Sequence, residues 1–228
     1  MRTFDHVDNK LFESDFFLQK MEEEDFNLFA IRCYFSAFVS SSRSVTFAIL
    51  ASMKGIEGFP EWYEKIRQEL SDDKLARFFH ECRTDDQKLG FNHIVGGVFD
   101  GGTPRFWFGE PERGRYKFIP EMDVLSACRK YMVKMCEIVD SAYETFGIEI
   151  DPDQRYTPDG LKKVGMSIED LEDYLGFPRL YSKISEDSEE DELRLASLVR
   201  GIPRSAVKPL LMRYLDRPLN YPMHSFRP

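Results

Sequence analysis

Residues 25–54 read DFNLFAIRCYFSAFVSSSRSVTFAILASMK. From Asn27 to Met53 only Arg32 and Arg43 are charged, and Gly and Pro are absent. Leu28, Phe29, Ile31, Tyr34, Phe35, Phe38, Val45, Phe47, Ile49 and Leu50 put apolar groups on nearly every face of a helix. A helix apolar all round is surrounded by other helices or by lipid. Midway, Ser40-Ser41-Ser42-Arg43-Ser44 inserts small polar groups and a guanidinium that needs partners for its five donors. Small side chains allow a close helix crossing. Two readings of this patch stay open: a core helix pinched for packing, or a groove or dimer seam in which Arg43 and Ser42 bind something. Arg32, the serine run and Arg43 interrupt the apolar length, which argues against a membrane span and for no membrane partner.

Helical spacing continues on both sides. A first helix over residues 8–23 carries Leu11, Phe12, Phe16, Leu18 and Met21 as its stripe, followed by the acidic turn 22–25. Gly55 and Gly58 end the long helix, and Pro60 opens a third helix reaching Leu70. Ser71-Asp72-Asp73 offers a cap to a fourth, KLARFFHECRTDDQK. From Leu89 the texture changes to FNHIVGGVFDGGTPRFWFGE, whose Asp-Gly-Gly signals a tight turn. It predicts a hairpin near 92–99 and 104–109, with a further strand possible at 116–119. A second long helix spans 121–146 and is capped by Gly147. Helices one, two, four and this one make the expected core, with helix three as a brace. Ser167-x-x-Asp opens a short helix that stops at Gly176, the acidic run 182–192 reads as a linker, and two last helices fall near 190–200 and 204–215. The organisation expected is a helical unit over 1–150, with its hairpin inserted at about 90–120, and a small helical extension over 151–228.

A net charge of −9 argues against broad nonspecific nucleic-acid binding and leaves room for a local basic pocket. Cys33, Cys82, Cys128 and Cys136 form no Cys-x-x-Cys pair and no zinc spacing, so buried free thiols in a reducing cytoplasm are expected. The charged start MRTFDHVDNK lacks the apolar core of a signal peptide. No cofactor or metal pattern emerges. GGVFDGG lies outside any strand-to-helix dinucleotide fingerprint, and no Ser-His-Asp set stands out. Arg105, Arg113, Arg115 and Lys117 around Trp107 and Phe108 make a small basic-aromatic patch, of a kind that stacks single-stranded nucleic acid or merely solubilises a hairpin.

Three phrases, AFVSSSRSVTF (37–47), GFPEWYEKIRQEL (58–70) and FFHECR (78–83), together resemble bacterial members of the HEPN superfamily. The overlap covers about residues 25–150, and TPDGLKKVGMSIEDLEDYLGFPR (157–179) is similar to a tail in some such proteins. The resemblance implies a mainly α fold: an up-down four-helix bundle, often dimeric, here with the hairpin insertion and the short helical extension. It also implies a place in an RNA-related, toxin–antitoxin or defence module, with RNA, a nucleotide or a partner protein as ligand. Active members carry Arg, a polar residue, and a His four to six positions after the Arg. The His moves the proton of a ribose 2′-hydroxyl, and the Arg neutralises charge building on the phosphate. Here Arg83 and Thr84 are present, but the positions that should hold His are Gln87, Lys88 and Leu89. The expectation is a degenerate binder whose inherited cleft is marked by Arg43, His80, Arg83 and Gln87. The alternatives are a metal-independent endoribonuclease pairing Arg83 with His80 or His93, and a purely structural interaction module. Arg83 paired with Glu81, Asp85 or Asp86 is the plain reading of that residue.

Overall fold

A computed structural model describes residues 4–109, 118–183 and 189–222. The chain is mainly helical, with a small antiparallel hairpin. In order it forms α1 (Asp5–Glu23), α2 (Leu28–Met53), α3 (Phe59–Asp72), α4 (Lys74–Leu89), β1 (Ile94–Asp100), β2 (Thr103–Phe108) and α5 (Val124–Ile150). The remainder is α6 (Pro152–Arg155), α7 (Pro158–Lys163), α8 (Ile168–Leu175), α9 (Glu189–Leu198) with a 3₁₀ turn (Val199–Gly201), and α10 (Lys208–Leu215).

Local chemistry sets these boundaries. The Asn27 side chain accepts from the Ala30 amide at 3.1 Å and starts α2. Gly58 takes a left-handed φ of 75°, which turns the chain into α3 with Pro60 in the first turn. Asp73 caps α4 by accepting from the Ala76 amide at 2.8 Å and also holds Lys134 of α5 at 2.9 Å. Gly101 and Gly102, both at positive φ, close the hairpin, which pairs Asp100 with Thr103 and Gly97 with Phe106. A Cβ at Gly97 would stand 2.8 Å from the Phe106 ring. Ser167 and Asp170 form a reciprocal capping box at the head of α8.

α1 lies along α2, and α4 and α5 join them around one core. The serine patch makes the close crossing: the Ser14 and Ser41 hydroxyls, both buried, lie 3.1 Å apart between α1 and α2. Arg32 finds its partner in the hairpin, donating from Nε (3.0 Å) and a terminal nitrogen (2.7 Å) to the Ile94 carbonyl. Among the described residues, no helix is long and apolar enough to cross a membrane. The core of α1 is Val7, Leu11, Leu18 and Met21, whereas Phe16, expected in that stripe, points outward. α2 is not enclosed on all sides either, since Phe29, Phe47 and Leu50 are exposed. Cys33 is exposed too, because it lies about 200° round the helix from buried Ile31. The other three cysteines are buried free thiols. The sheet has two strands among the described residues: Phe118 and Ile119 are not in a strand, and residues 116–117 lie outside the described residues.

α5 runs on past its expected end. Phe146 departs from helical angles (φ −120°, ψ 19°), yet the helix resumes to Ile150. Gly147 does not terminate it; a Cβ there would overlap the Gln154 side chain, so the glycine admits α6 instead. Beyond it, Tyr156, Leu161, Leu171, Leu195, Leu198 and Val199 form a second, smaller core. Val207, Leu210, Leu211 and Tyr221 return to the main one. Gly160 marks the tightest approach in this lobe, because a Cβ there would overlap the backbone oxygens of Gln154 and Arg155. Neither backbone group is free to rotate away, so Gly160→Ala is expected to cost about 3 kcal/mol. A fall in the urea midpoint at unchanged slope checks this.

Candidate functional site: a basic-aromatic cleft between α2, α3 and α4

α3 and α4 are joined by Asp73 alone. Two helices with so short a joint diverge, and the wedge they leave against α2 is a cleft of about 700 Å³. Each wall is a helical stripe. α2 contributes Arg43, Thr46, Phe47 and Leu50; α3 contributes Tyr63, Ile66, Arg67 and Leu70; and α4 contributes Ala76, Arg77, His80 and Glu81. Spacings of three, four and seven residues put each set on one face. Tyr131 of α5 forms the floor, stacked on Phe79 at 4.4 Å, and its burial pushes the phenol up to about 12.

Arg43 organises the mouth. One terminal nitrogen donates to the Thr46 hydroxyl at 2.6 Å, and Nε stands 3.4 Å from His80 Nδ1, a long contact across α2 and α4. Its guanidinium carbon lies 4.9 Å from the Phe47 ring centre, and that of Arg83 lies 5.7 Å from the same ring. Burial first, then the charges of Arg43 and Arg83, hold His80 below the ordinary imidazole value. The ring is therefore neutral at pH 7, with Nδ1 turned to accept and Nε2 carrying the proton. Burial raises the Tyr63 phenol, while the charges of Arg43 and Arg67 pull it back. Arg67 is paired with Glu64 at 2.7 Å on the exposed side, whereas Arg43 and Arg77 have no carboxylate partner among the described residues.

The residues singled out from sequence are not all gathered here. Arg43 and His80 meet in the cleft, and Arg83 stands behind Phe47. Arg83 forms no ion pair with Glu81, Asp85 or Asp86, and its Nε is buried without a hydrogen-bond partner. Ser42 is turned into the core, its hydroxyl donating to the Phe38 carbonyl at 2.6 Å. Gln87 is exposed in the last turn of α4, outside the cleft. His93 is buried among Phe35, Phe78 and Phe91, with Nε2 3.2 Å from the Cys82 carbonyl; burial lowers its pKa. It thus folds back against α4 at Cys82, but it does not line the cleft that holds His80. Arg105 pairs with Asp100 at 3.4 Å on the hairpin, which also carries half-exposed Trp107. Arg113, Arg115 and Lys117 of that patch lie outside the described residues. Among the described residues, no group of three or more His, Cys, Asp or Glu side chains is placed to hold a metal ion.

Sequence reasoning overlooked Arg67, Arg77, Phe47, Tyr63 and Tyr131. The signal was present in the one-residue joint at Asp73, which makes α3 a cleft wall as well as a brace whose Trp62 donates to the Ser141 hydroxyl of α5 and whose Tyr63 donates to the Thr46 carbonyl of α2. No protein-family model, no curated protein and no solved structure matches the chain.

Proposed function

We propose that this is a HEPN-like protein that binds single-stranded RNA or a nucleotide in the α2–α3–α4 cleft without cleaving it. One observation carries the reading: Arg43 and Arg77, unpaired with any described carboxylate, share a 700 Å³ cleft with Phe47 and Tyr63 in a chain of net charge −9. Guanidinium groups hold phosphate bidentately, and exposed rings stack bases at about 1–3 kcal/mol each. Cleavage by general acid–base transfer uses two groups at the reacting atoms. His80 supplies one neutral imidazole, and neither His93 nor Gln87 reaches the cleft. The dimer, and the toxin–antitoxin or defence setting with its partner protein, rest on the resemblance of the three helical phrases. Light scattering tests the first of these.

Fluorescence anisotropy with a labelled ten-nucleotide RNA is expected to show saturable binding in EDTA. Arg43→Ala and Arg77→Ala should each weaken it about tenfold, the equivalent of roughly 1.4 kcal/mol. The RNA should remain intact throughout. Unchanged affinity in both variants overturns the assignment of the cleft. The second reading, a metal-independent endoribonuclease, is favoured by the imidazole of His80, which Arg43 contacts and whose pKa burial and the charges of Arg43 and Arg83 lower. It takes the place of the first if RNA is cut in EDTA and His80→Ala abolishes the cutting.

A further inference from the structure

A second cavity, of about 360 Å³, lies at the seam where α1 and the end of α5 meet the small C-terminal lobe. Its polar groups are acidic or hydroxylic. Asp5 and Asp8 come from α1, and Ser205 comes from the chain leading into α10. Phe4, Tyr143, Tyr156 and Tyr174 supply four aromatic rings, and no Arg, Lys or His lines it among the described residues. The far end is apolar, built from Leu175, Ile202 and Pro203.

Asp8 is almost wholly buried, yet it has no cationic partner among the described residues. The Tyr143 hydroxyl donates to it at 2.9 Å and the Ser205 hydroxyl at 2.5 Å. The buried cation Lys208 is engaged with Asp151 and Asp153. Buried carboxylates are normally paired with a positive charge. A cavity that adjoins such a group and is walled by aromatic rings matches the requirements of an ammonium ion. The carboxylate neutralises it, and the ring faces attract it. A volume of this size lies within the range of small-molecule pockets.

We propose that this seam cavity binds a small organic ammonium ion carrying a flat or branched apolar body, with Asp8 as its counter-ion. The ammonium lies toward Asp8 and Tyr143, and the apolar body lies toward Leu175 and Ile202. Binding then depends on pH. Burial pushes Asp8 up to about 7, a shift that Asp5 and Asp151 reinforce and that the hydroxyls of Ser205 and Tyr143 oppose. Across the seam, among the described residues, Asp153, Arg204 and Lys208 form their own ion-pair group. An ammonium ligand selects the ionised form of Asp8, so binding below pH 7 releases a proton.

Calorimetric titration of the full chain with phenethylammonium chloride tests the site, with 2-phenylethanol as the uncharged analogue and potassium chloride as the ionic-strength control. Saturable binding is expected, at least tenfold weaker for the alcohol. Affinity should rise about tenfold from pH 6 to pH 8, following the ionised fraction of a group titrating near 7. Asp8→Asn, nearly the same size as the residue it replaces, should lose at least tenfold. Tyr174→Ala changes an exposed rim residue and should weaken binding without touching the carboxyl. No saturable binding, equal affinity for the alcohol, or undiminished binding by Asp8→Asn overturns the proposal.

Discussion

Replacing Lys208 with methionine is expected to cost about 3–5 kcal/mol of folding stability, the range for breaking a buried ion pair from one side. Lys208 is 2% exposed and sits between two buried carboxylates. Its Nζ lies 2.8 Å from Asp151 Oδ2 and 2.7 Å from Asp153 Oδ2, and it also donates to the Pro222 carbonyl at 3.0 Å. Burial already pushes the Asp151 carboxyl up, and Lys208 opposes that shift without overcoming it. With the cation gone, both acids are left desolvated beside one another. They escape that cost by taking up protons, so the deficit of Lys208→Met should shrink from pH 8 to pH 4. Adding Asp151→Asn and Asp153→Asn should recover most of the loss, because Asn at 151 still caps α6. Urea denaturation of the variants at the two pH values checks this. A deficit below 1 kcal/mol, or one insensitive to pH, would show that the group does not fasten α10 to the bundle.

Asp8→Asn is expected to act in the opposite direction and stabilise the protein at pH 8 by about 4 kcal/mol. The Asp8 pKa rises from 3.8 to about 7 on folding, mainly through burial, and each unit is worth about 1.36 kcal/mol. Because the folded value is the higher one, the contribution of Asp8 is fully present below about pH 4. It is lost as pH climbs through 7 and is constant above that. Asparagine does not titrate, and it keeps an acceptor for Ser205 and a donor for the Tyr143 oxygen. The two proteins should therefore be nearly equal at pH 4 and diverge by about 1.4 kcal/mol per pH unit up to 7. Thermal or urea unfolding of both across pH 4–8 measures the divergence. Parallel curves would mean that Asp8 stays ionised in the fold. A saturating ammonium ligand should narrow the gap at pH 8 by binding wild type alone.

Two further buried acids, Asp15 and Asp140, lie along the clasp of the C-terminal segment. Arg213 and Tyr214 hold Asp15, while Arg217 and Tyr221 hold Asp140 at 2.5 and 2.7 Å. Burial comes first in raising the phenols of Tyr214 and Tyr221, and their carboxylate partners add to it. The side chains of α10 and the segment after it thus complete hydrogen bonds that α1 and α5 leave open. A sequence shows the acids and the cations, but not which of them meet across 77 to 199 positions of chain.

Periodicity and punctuation determined the helices of this protein, because they act over a few residues. Asn27, Asp73 and Ser167 start helices through side-chain bonds three positions away, Gly90 and Gly176 stop them with left-handed φ, and Gly101-Gly102 closes the hairpin. The serine patch also revealed the close crossing, since small side chains and an apolar helix together have few other uses. Where a local signal met a distant neighbour, the sequence was ambiguous. Gly147 has the same letter whether it ends α5 or makes room for Gln154. Phe16 and Phe47 look like core by pattern but face outward, because an apolar position is buried only if another element arrives to cover it. Only the tertiary structure decided which residues share a site. The bend at Asp73 aims α3 away from α4 and opens the wedge that gathers Arg43, Arg67, Arg77 and His80. The long α2 first drew attention to Arg43 and Ser42 as neighbours in sequence. A single residue's step round the helix, about 100°, sends the first into the cleft and the second into the core.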